Sequence, residues 1–186
     1  EAVGYSLAIK MKKINKRVIC YHGEGAVDQG SYWESINFAV LKELPIIFIC
    51  ENNQYAIYSH QNNRMAKVNI CQKAKTFGIQ TKFLKFHSTE KIYDCTRDAL
   101  NLLDKGKGPI LIEIMTSRVM DHVGIDDDSN LGYKSKEYYK FQKKYDELNY
   151  LKQKTNKSRE IDEKINKEIK IAINYAEKSP FPKTLK

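Results

Sequence analysis

Two short segments carry residue types suited to chemistry. Gly23-Glu24-Gly25-Ala26 follows one apolar run, and Glu51-Asn52-Asn53-Gln54-Tyr55 follows another. Glu24 offers a carboxylate and Asn53 an amide oxygen, and a backbone carbonyl just past Asn53 can add a third oxygen. These are hard donors of the kind magnesium takes, in a near-octahedron usually completed by phosphate oxygens and water. Glycines at 23 and 25 let the backbone come close to an anion, with N–H groups turned toward it. Either segment alone reads as an ordinary tight turn. At the ends of neighbouring strands, the two together describe a site for a diphosphate held through a divalent cation.

The elements that must position them are legible. Arg17 to His22 is an apolar run that reads as a buried strand. Trp33 to Glu43 has apolar positions at Trp33, Ile36, Phe38, Ala39, Val40 and Leu41, a broad buried helix face. Pro45 follows, and then the strand Ile46 to Cys50. A strand, a helix and a strand of this length make a parallel crossover. A second round follows, with a short helix over Val68 to Phe77 and a strand over Thr81 to Phe86. A helix over Thr89 to Asp104, with Thr89 as N-cap and Gly106 as stop, leads to the strand Ile110 to Met115. The alternation predicts an α/β fold, a parallel sheet with helices on both faces. In such sheets ligands bind beyond the carboxyl ends of the strands. His122 to Tyr133 is polar, includes Asp126-Asp127-Asp128, and reads as a loop. Lys136 to Lys154 and Ser158 to Lys178 read as charged helices. The expected organisation is an α/β domain over 1–133 and a helical extension over 134–186.

Bulk properties narrow the function. The net charge is +9, but +7 of it arises from Lys134 onward, where 15 basic residues are interleaved with 8 acidic ones. That pattern reads as a solvated helical face rather than a nucleic-acid surface. No apolar run approaches the ~18 residues a membrane span needs. Glu1 to Tyr5 lacks the basic start and apolar middle of a signal peptide, and reads as the inside of a helix of a longer protein. Cys20, Cys50, Cys71 and Cys95 form no Cys-x-x-Cys pair and read as buried, reduced thiols. The compartment expected is the cytoplasm, of a bacterium in the first instance, with an organellar matrix as the other candidate.

The combination of Gly23-Glu-Gly-Ala-Val-Asp-Gln-Gly30, Glu34 to Ala39, Leu44-Pro45 and Glu51-Asn-Asn-Gln-Tyr-Ala56 resembles the alpha subunit of the thiamine diphosphate-dependent 2-oxo acid dehydrogenases. That family covers the pyruvate, branched-chain 2-oxo acid and acetoin dehydrogenases. The likeness continues through Gly108 to Glu113, Thr116-Ser-Arg118 and His122, and resumes at Ala176 to Pro182. It implies thiamine diphosphate and Mg2+ as cofactors. Glu24, Asn53 and the Tyr55 carbonyl match the metal ligands, and Gly23, Gly25 and Ala26 match the backbone around the diphosphate. Arg118 and His122 match a stretch whose histidine lies over the cofactor and is the catalytic candidate. The implied reaction is oxidative decarboxylation of a small 2-oxo acid with acyl transfer to lipoamide. The implied partner is a beta subunit, in a heterotetramer of two alpha and two beta chains, with a lipoyl acyltransferase component as a further one. Another split-chain thiamine diphosphate enzyme, transketolase-like or a carboligase, or a non-catalytic paralogue, is the alternative. Three departures stand out. Glu24 replaces the usual aspartate. Val123 replaces a serine that some relatives phosphorylate, so no such switch is expected there. Lys85-Phe86-His87 replaces the usual loop before the third helix.

Overall fold

A computed structural model of the chain describes residues 1–85, 88–124 and 126–183. The elements, in order, are α1 (Ala2–Met11), β1 (Val18–Gly23), α2 (Gly30–Leu41), β2 (Ile46–Asn52), β3 (Tyr55–Ala56), β4 (Ser59–His60) and α3 (Ile70–Lys75). They continue with β5 (Gln80–Leu84), α4 (Thr89–Asp104), β6 (Ile110–Met115), α5 (Lys136–Lys144), α6 (Glu147–Lys154) and α7 (Ser158–Lys178). Single 3-10 turns lie at Glu24–Asp28, Gln61–Asn63 and Ser129–Leu131.

Four strands form one sheet in the order β1-β2-β6-β5, every neighbouring pair parallel. The α/β expectation holds. All four strands therefore end on one edge, at Gly23, Asn52, Leu84 and Met115. β2 and β6 are central and almost wholly apolar, as strands covered on both faces must be. Alternation splits their side chains between two cores. Ile46, Phe48, Cys50 and Leu111 meet Ile36 and Ala39 of α2 and Ile70 and Ala74 of α3. Ile47, Ile49, Ile110, Ile112 and Ile114 meet Ala99 and Leu103 of α4.

Four expectations need correction. The buried face of α2 is narrower than its apolar positions suggest, centred on Ile36 and Ala39, with Phe38 and Leu41 exposed. β1 is not buried on both faces: as the edge strand it alternates, with Val18 and Cys20 against the α2 core and Ile19 and Tyr21 38% and 65% exposed. Ser88, not Thr89, holds the N-cap position of α4. The helix expected over Lys136 to Lys154 breaks at Tyr145–Asp146, because Asp146 turns its carboxylate back to accept from the Asn149 N–H at 3.0 Å and starts α6 afresh. The end of the expected Thr81 to Phe86 strand, and most of the Lys85-Phe86-His87 loop, lie outside the described residues. The described residues form two compact units, Glu1–Tyr145 and Asp146–Lys186. In the second, Lys152 of α6 pairs with Asp162 of α7 at 2.8 Å, and α7 leaves Ile161, Ile165, Ile169, Ile171 and Ile173 about half exposed. No helix among the described residues is long and apolar enough to cross a membrane.

Candidate functional site

The register of β1 on β2 sets Gly23 directly opposite Glu51. The two chemistry-bearing segments are thereby neighbours, since each leaves its strand at the same edge. Beyond Gly23 the chain turns at once into the 3-10 turn, which buries Glu24 to 1% exposure. An added Cβ on Gly23 would meet nothing within 4 Å, so the strand end opens on free space. Gly25 is different: a Cβ there would lie 2.9 Å from the Cβ of Ala56. Its glycine is explained by the β3–β4 hairpin packed on it, whatever else the backbone binds. Ala26 lines a separate hollow of about 260 Å3 with His22, Tyr32 and Phe48.

Strand alternation separates the two asparagines. Asn52, the last residue of β2, points inward. Its amide donates to Glu113 Oε1 at 2.8 Å, and Glu113 Oε2 accepts the Cys71 N–H at 3.2 Å. Both side chains are buried, and the three-way link joins β2, β6 and the start of α3. Asn52 is structural. Asn53 lies beyond the strand and is half-buried. Its Oδ1 accepts the Tyr55 N–H at 2.9 Å, a side-chain turn that fixes the segment, and its carbonyl accepts from the Tyr138 hydroxyl at 3.1 Å.

Tyr138 is the residue that sequence reasoning missed most completely. It is buried in α5, a helix read only as charged, and its hydroxyl also accepts the Arg118 N–H at 2.9 Å. One oxygen thus bridges Asn53 and Arg118. The Arg118 guanidinium donates to the Ile57 carbonyl at 2.8 Å and to the Tyr133 hydroxyl at 2.7 Å, which holds the segment after β6 against the β3–β4 hairpin. His122 follows, exposed, with Nδ1 3.5 Å from Arg118 Nη1. The structure therefore brings Arg118 and His122 to the same hairpin that carries Tyr55.

Behind this segment lies an ionic core. Asp128, read as part of an acidic loop, is 1% exposed. Lys134, read as part of a solvated basic tail, has a fully buried side chain and pairs with it at 2.6 Å. Lys134 also donates to the Arg118 carbonyl at 2.9 Å and lies over the rings of Tyr133, Tyr138 and Tyr139. Burial pushes the Asp128 carboxyl up, but hydrogen bonds from Lys134 and Tyr133 outweigh it and hold the group below the usual carboxylate range. Burial pushes the Tyr138 hydroxyl up to about 12, so it stays a neutral donor and acceptor. The thiols are free, and burial pushes Cys71 up to about 12, which makes it unreactive near neutrality.

Glu24 is not alone. Arg64, just past the Gln61–Asn63 turn, donates to Glu24 Oε1 at 2.6 Å, pairs with Asp28, and gives its Nε to the Ser59 carbonyl at 3.2 Å. Burial pushes the Glu24 carboxyl up, and Arg64 pulls it down. Among the described residues no three His, Cys, Asp or Glu side chains cluster to hold a metal. A metal here would depend on Glu24 together with Asn53 and a backbone oxygen. That donor set, all hard oxygens at one sheet edge, fits magnesium in type.

Residues 1–184 match the model of the family described as "Dehydrogenase E1 component". Among relatives, the chain is 35% identical over 179 residues to the 2-oxoisovalerate dehydrogenase subunit alpha of Bacillus subtilis, covering 94% of this chain and 54% of that one. It is 32% identical over 184 residues to the pyruvate dehydrogenase E1 component subunit alpha of Staphylococcus aureus, covering 95% and 50%. It is 30% identical over 189 residues to the alpha subunit of acetoin:2,6-dichlorophenolindophenol oxidoreductase of Bacillus subtilis, covering 98% and 56%. The chain thus spans about half the length of the curated relatives it matches. Among solved structures, one described as a thiamin diphosphate-dependent enzyme from Mycobacterium smegmatis is similar with a TM-score of 0.51 at 26% identity, over 63% of this chain and 21% of that one. Transketolase from Campylobacter jejuni, at 23% identity and a TM-score of 0.55, shares the fold over 61% of this chain and 18% of its own.

Proposed function

The chain belongs to the dehydrogenase E1 component family, and from that premise we propose that it is the cofactor-anchoring part of the alpha subunit of a thiamine diphosphate-dependent 2-oxo acid dehydrogenase. The observation that carries the reading is the register of Gly23 opposite Glu51, which makes neighbours of the Glu24 turn and the Asn53 turn at one sheet edge. Glu24, Asn53 and the Tyr55 carbonyl would hold Mg2+. The backbone of Gly23, Gly25 and Ala26 would face the diphosphate, with Arg118 and His122 as a third wall. When bound, the cofactor supplies the carbanion chemistry that removes carbon dioxide from a 2-oxo acid.

The residues of this chain bind and orient. Asn53 is fixed twice, by its own turn and by Tyr138, so its amide oxygen is presented in one direction. Arg118 is fixed by Ile57 and Tyr133, and its guanidinium would answer the charge of the diphosphate. His122 is exposed beside it and would donate to, or accept from, a bound substrate group. A beta subunit would supply the rest of the site, and the acyl group would pass to a lipoyl-bearing component.

The test uses the full-length alpha chain assembled with its beta chain. Isothermal titration with thiamine diphosphate should show binding only with Mg2+ present, and Asn53→Ala should weaken it by about a hundredfold, roughly 2.7 kcal/mol. Absence of binding, or an Asn53→Ala variant indistinguishable from wild type, refutes the assignment. Acyl-lipoamide formation from a 2-oxo acid separates this reading from a ketol-forming enzyme.

A further inference from the structure

The Glu24 carboxylate is 1% exposed, and a carboxylate so buried is stable only if a cation answers it. In this chain the cation is Arg64. Each of its three nitrogens makes a contact: Nη2 to Glu24 at 2.6 Å, Nη1 to Asp28, and Nε to the Ser59 carbonyl at 3.2 Å. The guanidinium has a side-chain exposure of 15%. It reaches Glu24 from just past the Gln61–Asn63 turn and also holds the Ser59 carbonyl of β4, so it ties the Glu24 turn to the hairpin that follows Asn53.

We propose that Arg64 is a built-in counter-cation for Glu24, and that metal binding at this site is an exchange in which the divalent ion displaces the guanidinium from the carboxylate. The inference rests on the metal-ligand reading of Glu24. Two cations cannot share one buried carboxylate at contact distance without mutual repulsion, which a low-dielectric setting strengthens. The length of the side chain matters. An aspartate at 24 would be one C–C bond shorter, about 1.5 Å, and would lose the close approach to Arg64. Glutamate at 24 and arginine at 64 therefore act as a pair. The pair holds the two turns in place before metal arrives and lowers the apparent affinity for the ion. Arg64 is thus a positioning residue that sets metal affinity without touching the metal.

The experiment measures Mn2+ binding by electron paramagnetic resonance, with the full-length alpha chain assembled with its beta chain, with and without thiamine diphosphate. Arg64→Met and Arg64→Gln remove the competing charge and should each tighten the Mn2+ Kd by about tenfold or more, whereas Arg64→Lys, which keeps the charge, should stay within about threefold of wild type. The metal-free neutral variants should also melt at a lower temperature than wild type and gain more from added Mn2+. Binding by the neutral variants alone also supports the exchange. If wild type binds Mn2+ and the neutral variants bind equally or more weakly, the exchange is wrong and the proposed function survives. If no form binds, both fall. Should the neutral variants unfold without metal, recovery of the wild-type circular dichroism by Mn2+ supports the proposal, and failure to recover overturns it.

Discussion

Removing one oxygen atom should loosen the link between the Asn53 turn and the Arg118 segment. Tyr138→Phe keeps the ring, and with it the edge contact to Tyr55 at 5.2 Å and to Tyr139 at 6.3 Å. It deletes the hydroxyl that donates to the Asn53 carbonyl at 3.1 Å and accepts the Arg118 N–H at 2.9 Å. A neutral hydrogen bond is worth about 0.5–1.5 kcal/mol net, and a buried donor left without a partner costs about 1–3 kcal/mol. Both groups are only half-buried, so water meets part of the need and a total near 2 kcal/mol is expected. That corresponds to roughly 30-fold faster local opening. Hydrogen exchange at the Arg118 amide in the assembled enzyme reads it directly, with amides of β2 as the internal reference, since the sheet core is untouched. Unchanged exchange at Arg118, or an equal acceleration in β2, would refute the idea that this hydroxyl is a local bridge.

The Asp128–Lys134 pair gives two further expectations. Asp128→Asn leaves the Lys134 cation buried without its counter-charge, at a cost of about 3–5 kcal/mol, and limited proteolysis should then cut readily between Arg118 and Ser135. Because the folded Asp128 carboxyl is held below its unfolded value of about 3.9, its contribution is full above that value and is lost as pH falls through the folded one. Pepsin digestion at stepped acid pH should show the segment opening in that window, and Asp128→Asn should abolish the step. Gly25→Ala should destabilise by about 1–3 kcal/mol through the clash with Ala56. Adding Ala56→Gly should restore most of the loss in thermal melts, and a double variant no better than the single one would show that Gly25 answers a different constraint.

The sheet was legible because its signals are local. Ile46 to Cys50 and Ile110 to Met115 are apolar runs of strand length, and α4 begins and ends at the residues its pattern indicates. The neighbourhood of Gly23 and Glu51 followed from one crossover. What escaped was set by tertiary pairing. Asp128 and Lys134 lie in charged stretches, and nothing in their spacing announces that each is the other's partner in a tyrosine-lined core. Arg64 sits in an irregular segment with no period to read. Asn53 stood out as a donor in the sequence, but the role of Asn52 did not: the alternation of β2, ending between them, sends Asn52 inward to Glu113 and leaves Asn53 at the edge. β1 read as buried because composition cannot say how many neighbours a strand will have.

The edge position of β1 bears on how the protein behaves in the test tube. In the described residues the sheet stops at β1, and one side of its backbone, beside the exposed Ile19 and Tyr21, is unsatisfied by any other strand. An open hydrogen-bonding rim with aromatic and branched side chains is adhesive toward any extended peptide. A preparation of these residues alone would be limited by clumping rather than by melting, and its turbidity would climb with concentration well below the thermal transition. Tyr21→Lys, on the outward face, would blunt the rim while leaving every inward contact of the strand in place.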